Sequence, residues 1–216
     1  MSQKKNHSDL SSSKSEGFYD RVMSQLAISG GTEIARRYLA MNAFDGVLPV
    51  LGIIMGGLVS LNFQAPLLIF ETSILSIFAT CFAMFVSGIT SSYLTEGAER
   101  KRDLEELERS LLSGLQGSAI AKASRTTTIV VSLINGFSPF LAGLATATPL
   151  FMVQFGIPID LGFTLSVVSG MFILFILGVF LGKVSRTNII IYGIKTLAAG
   201  IIVVMMIWLF SSMTVY

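Results

Sequence analysis

The sequence predicts an all-α, polytopic membrane protein with five transmembrane helices and a cytoplasmic N-terminus. Three observations carry this. Apolar residues make up 52% of the 216 residues and charged ones only 13%, about half the charged share of a soluble domain, and mean hydropathy is +0.74. Five stretches, roughly 40–63, 67–93, 127–153, 160–182 and 188–212, each supply the ~20 mostly apolar residues a spanning helix needs. Fourteen of the fifteen lysines and arginines fall before span one, between spans two and three, or between spans four and five. The positive-inside rule places those three segments in the cytoplasm.

In chain order, residues 1–17 are polar and serine-rich with no apolar core behind Lys4 and Lys5, so they read as a disordered cytoplasmic tail rather than a signal peptide. Residues 18–39, "FYDRVMSQLAISGGTEIARRYL", are weakly amphipathic and interrupted at Gly30 and Gly31, the pattern of a segment lying in the membrane interface. Spans one and two occupy 40–93, joined by the short "NFQAPL" link. Residues 94–126 form a short acidic and basic cytoplasmic helix and linker, and spans three to five fill 127–216. Pro66 and Pro158 fall in links, where they break no helix. Links this short make neighbouring helices antiparallel.

Several function classes lack their parts. Cys81 is the sole cysteine, so no intrachain disulfide forms. No phosphate-binding "GxxxxGK[ST]" and no zinc-binding "HExxH" occurs, and the only histidine, His7, lies in the tail. No nucleophile–base pair is recognisable, so an enzyme is not expected, and a net charge of +2 gives no reason to expect a nucleic-acid partner. On composition the expected partner is the bilayer.

What chemistry remains is at membrane depth. At ~100° per residue, Asn42, Asp45, Pro49, Gly52 and Gly56 of span one share an arc of roughly 80°. Val50 and Ile54 lie opposite. A polar stripe of this kind is expected to face protein or water. Pro49 has no N–H to give the Asp45 carbonyl, so carboxylate, free backbone oxygen and the Asn42 amide together suit a hard or borderline divalent cation. A kinked helix with Gly52-xxx-Gly56 packing explains the glycines but not the aspartate. In span two, Ser92, Glu96 and Glu99 share an arc of roughly 60°, with Met84 two turns deeper. Beyond them, 103–109 read as a solvated helix with i,i+4 pairs. In span three, Pro139 frees the Asn135 carbonyl as Pro49 frees that of Asp45, and broken helices are a recurring device of transporter sites. Lys195, about two turns into span five, either snorkels to the cytoplasmic interface or partners a buried acid or an anionic lipid.

These residues carry a family resemblance. "EIARRYLAMNAFDGVLPVLGIIMGG" resembles the first-span signature of the vacuolar iron transporter family. "SGITSSYLTE" is similar to that family's "SGxxSMAxGE", and "YGIKTLAAG" to its "GxRMLxxG". The resemblance covers most of 33–212. It implies a dimer that exports Fe²⁺ or Mn²⁺ from the cytosol in exchange for protons, with its pathway between subunits. The metal is cargo, and no cofactor is implied. It also implies translocation roles for Asp45 and Glu96. Asn42, Glu99, Met84 and Ser92 complete the candidate metal set, with Pro49, Gly52 and Pro139 as helix-break or gating positions. Two residues depart from the family pattern: Ser92 stands where methionine is usual, and Met84 near where glutamate is usual. The segment 94–126 is too short for the family's glutamate-rich metal-binding domain. The host membrane follows from the resemblance as plasma membrane in a prokaryote, or vacuolar or another organelle membrane in a eukaryote. A non-transporting scaffold or regulator that kept the fold is the competing expectation.

Overall fold

The computed structural model describes residues 18–28, 30–185 and 187–214, which are overwhelmingly helical and include no strand. Six α-helices follow one another: α1 (Phe18–Ile28), α2 (Gly31–Ser60), α3 (Pro66–Leu111), α4 (Ala119–Phe151), α5 (Ile159–Val184) and α6 (Ile189–Thr214). A single 3₁₀ turn, Met152–Phe155, follows α4. Helices α2 to α6 are each long and apolar enough to cross a membrane, which gives the chain the build of a multi-pass membrane protein. The tail 1–17 and Arg186 lie outside the described residues.

The punctuation of the helices follows from backbone chemistry. Gly30 takes φ +66°, a left-handed conformation that glycine adopts at little cost, and α1 stops there. Residues 31–39 are therefore the opening turns of α2 and do not continue α1. Helix α1 folds against the start of α4, where the Thr126 hydroxyl bonds the Gln25 amide oxygen. Gly31 sits so tightly in this corner that a Cβ would come within 2.6 Å of Thr127 and 2.7 Å of Leu26. Pro66 opens α3, where its missing N–H is no loss, and Pro158 precedes the first residue of α5.

Helix α3 runs unbroken for 46 residues, about 70 Å, against a hydrocarbon thickness of ~30 Å. It is therefore more than twice as long as that layer is thick. Leu112 ends it at φ 50°, and the Glu108 carboxylate accepts the Leu115 N–H at 2.7 Å, turning the chain back. The Ser118 hydroxyl then caps α4 by accepting from Ala121 N–H at 3.2 Å. Of the segment 94–126 read as a short cytoplasmic helix and linker, residues 119–126 are thus the first turns of α4.

Helices α2 and α4 form the centre, with α3, α5 and α6 around them. The core is built from the bulky face of α2. Val47, Val50, Leu51 and Ile54 are fully buried against Ile77 and Cys81 of α3, Leu150 of α4, and Phe163 and Leu174 of α5. Phe82 and Phe85 of α3 interleave with Phe137 and Phe140 of α4 at ring separations of 4.9–5.6 Å. Helices α5 and α6 meet through small residues: a Cβ on Gly178 would lie 2.8 Å from Gly193, and Thr196 donates to the Leu174 carbonyl at 2.9 Å. The alternation of direction brings Arg36, Arg37, Arg100, Lys101, Arg102, Lys122, Arg125 and Lys183 to one end of the bundle.

Candidate functional site

The bulky residues Val47, Val50, Leu51 and Ile54 of α2 turn inward, so the stripe through Asp45, Pro49 and Gly56 is left on the outer side of the single chain. Asp45 and Pro49 are exposed, Met41 is 53% exposed, and Gly56 has no neighbour within 4 Å of a built Cβ. Ile207 of α6 lies 3.6 Å from a built Cβ on Gly52. The Asp45 carboxylate has no hydrogen bond or ion pair among the described residues. It thus stands unpaired on the outer face of a helix long and apolar enough to cross a membrane, where an aspartate near the middle costs about 3 kcal/mol on insertion scales.

Asn42, at the edge of the same stripe, has a partner. Its amide donates to the side-chain oxygen of Asn135 on α4. One turn away, the Ser138 hydroxyl donates to the Leu39 carbonyl at 2.6 Å. The backbones close up at the same level: a Cβ on Gly46 would fall 2.2 Å from the Pro139 carbonyl oxygen. On the other side of α4, a Cβ on Gly88 of α3 would lie 2.6 Å from the Asn135 carbonyl. Pro139 is buried in this three-helix junction, and the Asn135 backbone oxygen abuts Gly88 rather than an open space.

The span-two half is built separately. Glu96 is 7% exposed and pairs with Arg100, one turn on, at 3.3 Å. The Tyr38 hydroxyl of α2 lies close enough to Glu96 to feel its charge. Ser92, one turn deeper, is buried, and its hydroxyl has no hydrogen-bond partner among the described residues. Glu99 is exposed on the same helix. Met84 packs against the central core with Val50, Ile54 and Cys81, away from the acids. Since Tyr38 is level with Glu96, Asp45 lies about 10 Å deeper along α2. The two carboxylates therefore form two stations along the bundle rather than one ligand set. Among the described residues, no three of histidine, cysteine, aspartate and glutamate come together.

Lys195 has no acidic partner among the described residues. Its ammonium lies 5.3 Å from the ring centroid of Tyr192, one turn nearer the basic end. Tyr38, Ser138 and the side chain of Asn135 belong to the site and were not among the residues singled out from sequence. The available signal was register: Tyr38 stands one turn before Asn42, and Asn135 one turn before Pro139.

No family model and no solved structure matches the chain. An uncharacterized protein of Methanocaldococcus jannaschii, MJ0645, is 31% identical over 176 residues, covering 79% of this chain and 85% of the archaeal protein. At that identity and coverage, the chain belongs to the same family as this archaeal protein.

Proposed function

We propose that the protein is a divalent-metal exporter for Mn²⁺ or Fe²⁺, acting as a homodimer and exchanging metal for protons, with its N-terminus in the cytoplasm. The single observation that carries the reading is Asp45: an unpaired carboxylate on an uncovered face of a spanning helix. Such a group is expensive in lipid and needs water, a cation or a second copy opposite it. Apposed α2 faces from two copies place two Asp45 carboxylates and two proline-freed carbonyls around one axis, an oxygen-rich site of the kind hard cations take. Glu96, nearer the basic end, serves as the first station, and Asp45 as the second. The charge asymmetry supports the orientation, and the motifs similar to the vacuolar iron transporter family support the cargo.

Purified protein in liposomes tests this directly. Mn²⁺ uptake driven by a pH gradient is expected for the native chain and is abolished in Asp45→Asn. No flux above protein-free liposomes, or undiminished flux from Asp45→Asn, refutes the mechanism.

One observation favours a second reading, a fold retained without transport. Glu96 is already neutralised by Arg100, and Met84 is committed to the core. Under this reading, an equilibrium Mn²⁺ titration finds no site that Asp45→Asn removes.

A further inference from the structure

The hairpin of α2 and α3 recurs later in the chain. Shifted by 93 positions, residues 31–93 fall on 124–186 without a gap, and the start of α3 at Pro66 falls on the start of α5 at Ile159. The first five buried residues of α3 are Ile69, Phe70, Ser73, Ile77 and Cys81. They fall on Gly162, Phe163, Ser166, Gly170 and Leu174, the first five buried residues of α5. In the preceding helices, the buried Ala43, Gly46, Val50, Ile54 and Gly57 fall on Gly136, Pro139, Gly143, Ala147 and Leu150, all buried. Asn42, Phe44, Phe70, Ser73 and Phe82 meet their own residue type in the second hairpin. One helix matches another in phase in about one register of four. Here two successive helices keep phase across the link between them.

The recurrence is also spatial. Residues 93 apart meet each other on three successive turns of the α2–α4 contact. Asn42 bonds Asn135. A Cβ on Gly46 would lie 2.2 Å from the Pro139 carbonyl oxygen, and one on Gly143 would lie 3.1 Å from Val50. Parallel helices set equivalent residues opposite each other in this way when a two-fold axis runs between them. Contacts away from the axis are reciprocal, as such an axis requires. A Cβ on Gly57 would lie 2.5 Å from Phe163, and their counterparts Leu150 and Phe70 share one core cluster.

The copies differ in what they carry. Tyr38, Asp45 and Pro49 of α2 correspond to Val131, Ser138 and Ala142 of α4. Gly178 and Gly182, against which α6 packs, correspond to Phe85 and Ile89. We infer that residues 31–93 and 124–186 are two copies of one helical hairpin, joined about a pseudo-two-fold axis along the α2–α4 seam, and that this seam is a closed structural axis with no route for a solute. Membrane repeats commonly hold a substrate at their interface. Here main chain meets main chain at Gly46 and Pro139, and the Cys81 sulfur fills the next turn, 2.8 Å from a built Cβ on Gly143. Asp45 is left on the outer side of one copy, without an acidic twin. None of this depends on which solute the chain carries.

Thermal unfolding of full-length variants in detergent tests the axis. The next turn of the seam pairs Ile54 with Ala147, both fully buried. Ile54→Ala opens a cavity and Ala147→Ile overpacks, and each should lower the midpoint by roughly 5–10 °C. Across a two-fold axis the two side chains share one space, so the double variant exchanges them and recovers at least half of the Ile54→Ala loss. Where Ala147→Ile alone fails to fold, comparing the double variant with Ile54→Ala decides. A double variant no more stable than Ile54→Ala overturns the axis. In homologues, the two hairpins aligned to each other should agree best in this same register, and a consistently better register elsewhere overturns the duplication. N-ethylmaleimide tests the closed seam on the native chain, whose sole cysteine is Cys81. No label is expected on the folded protein and one after unfolding in SDS, while Gly56→Cys, on the open face, gains one label when folded. Labelling of Cys81 in the folded native chain at a rate comparable to that of Gly56→Cys overturns the closed seam.

Discussion

Gly46 of α2 and Pro139 of α4 touch backbone to backbone: a Cβ on the glycine would stand 2.2 Å from the proline carbonyl oxygen. No side-chain rotation relieves such an overlap, because the obstructing atom is main chain. The contact holds the two central helices at one spacing and fixes the height of Asp45, the residue before Gly46.

Gly46→Ala therefore forces α2 and α4 apart despite alanine's better helix propensity. A loss of about 1–3 kcal/mol is expected, the usual cost of overpacking a tight contact. Gly56→Ala serves as the control, since a Cβ there meets nothing within 4 Å. Thermal unfolding in detergent should show a lower midpoint for Gly46→Ala and an equal or higher one for Gly56→Ala.

The Asn42–Asn135 hydrogen bond joins the same two helices one turn away. Interhelical hydrogen bonds in membranes couple by about 0.6 kcal/mol on average and rarely exceed ~2 kcal/mol. A double-mutant cycle with Asn42→Ala and Asn135→Ala is expected to give a coupling in that range. Additive losses in unfolding free energy count against the bond as a stabilising contact.

Which of these features the sequence discloses depends on the range of the interaction. The five spans, their antiparallel order and the link prolines Pro66 and Pro158 follow from hydropathy and local backbone chemistry, and the structure has them. The run of α3 past Glu96 into the acidic stretch is equally local. The stripe of Asn42, Asp45, Pro49, Gly52 and Gly56 is legible from period alone, but its direction is not. Helical period gives the angle between two faces and leaves open which one meets the core. Here the core takes Val50 and Ile54, because Ile77, Cys81 and Phe163 are there to receive them. The pairing of Asn42 with Asn135 and the approach of Tyr38 to Glu96 join residues 93 and 58 positions apart, and only tertiary packing selects them.

The outward face of α2 makes the dimer testable by cross-linking. Gly56 faces open space, so cysteine fits there, and the native Cys81 is buried. In a dimer built on apposed α2 stripes, Gly56→Cys in liposomes forms a disulfide-linked dimer under mild oxidation. Leu165→Cys, exposed on α5, should not. Equal cross-linking of both variants, or none at Gly56→Cys, rejects this interface.

Arg100 decides between the two functional readings. Its guanidinium occupies the position that a metal at the first station would need, 3.3 Å from a Glu96 carboxylate that is almost fully buried. Removing one partner of a buried pair leaves the other charge uncompensated, typically at a cost of about 3–5 kcal/mol. Arg100→Gln should therefore lower the unfolding midpoint in metal-free buffer under either reading. The readings part when Mn²⁺ is added. If Glu96 belongs to a cation path, Mn²⁺ replaces the lost positive charge and restores much of the midpoint, following the usual linkage between ligand concentration and stability. Mg²⁺ at the same concentration controls for general screening. If Glu96 is only a structural acid, Mn²⁺ and Mg²⁺ act alike and recover little. A Glu96→Gln, Arg100→Gln double variant completes the test: it removes both charges and should be more stable than Arg100→Gln without metal, yet insensitive to Mn²⁺. Mn²⁺ rescue that persists in the double variant places the ion elsewhere and removes Glu96 from the path.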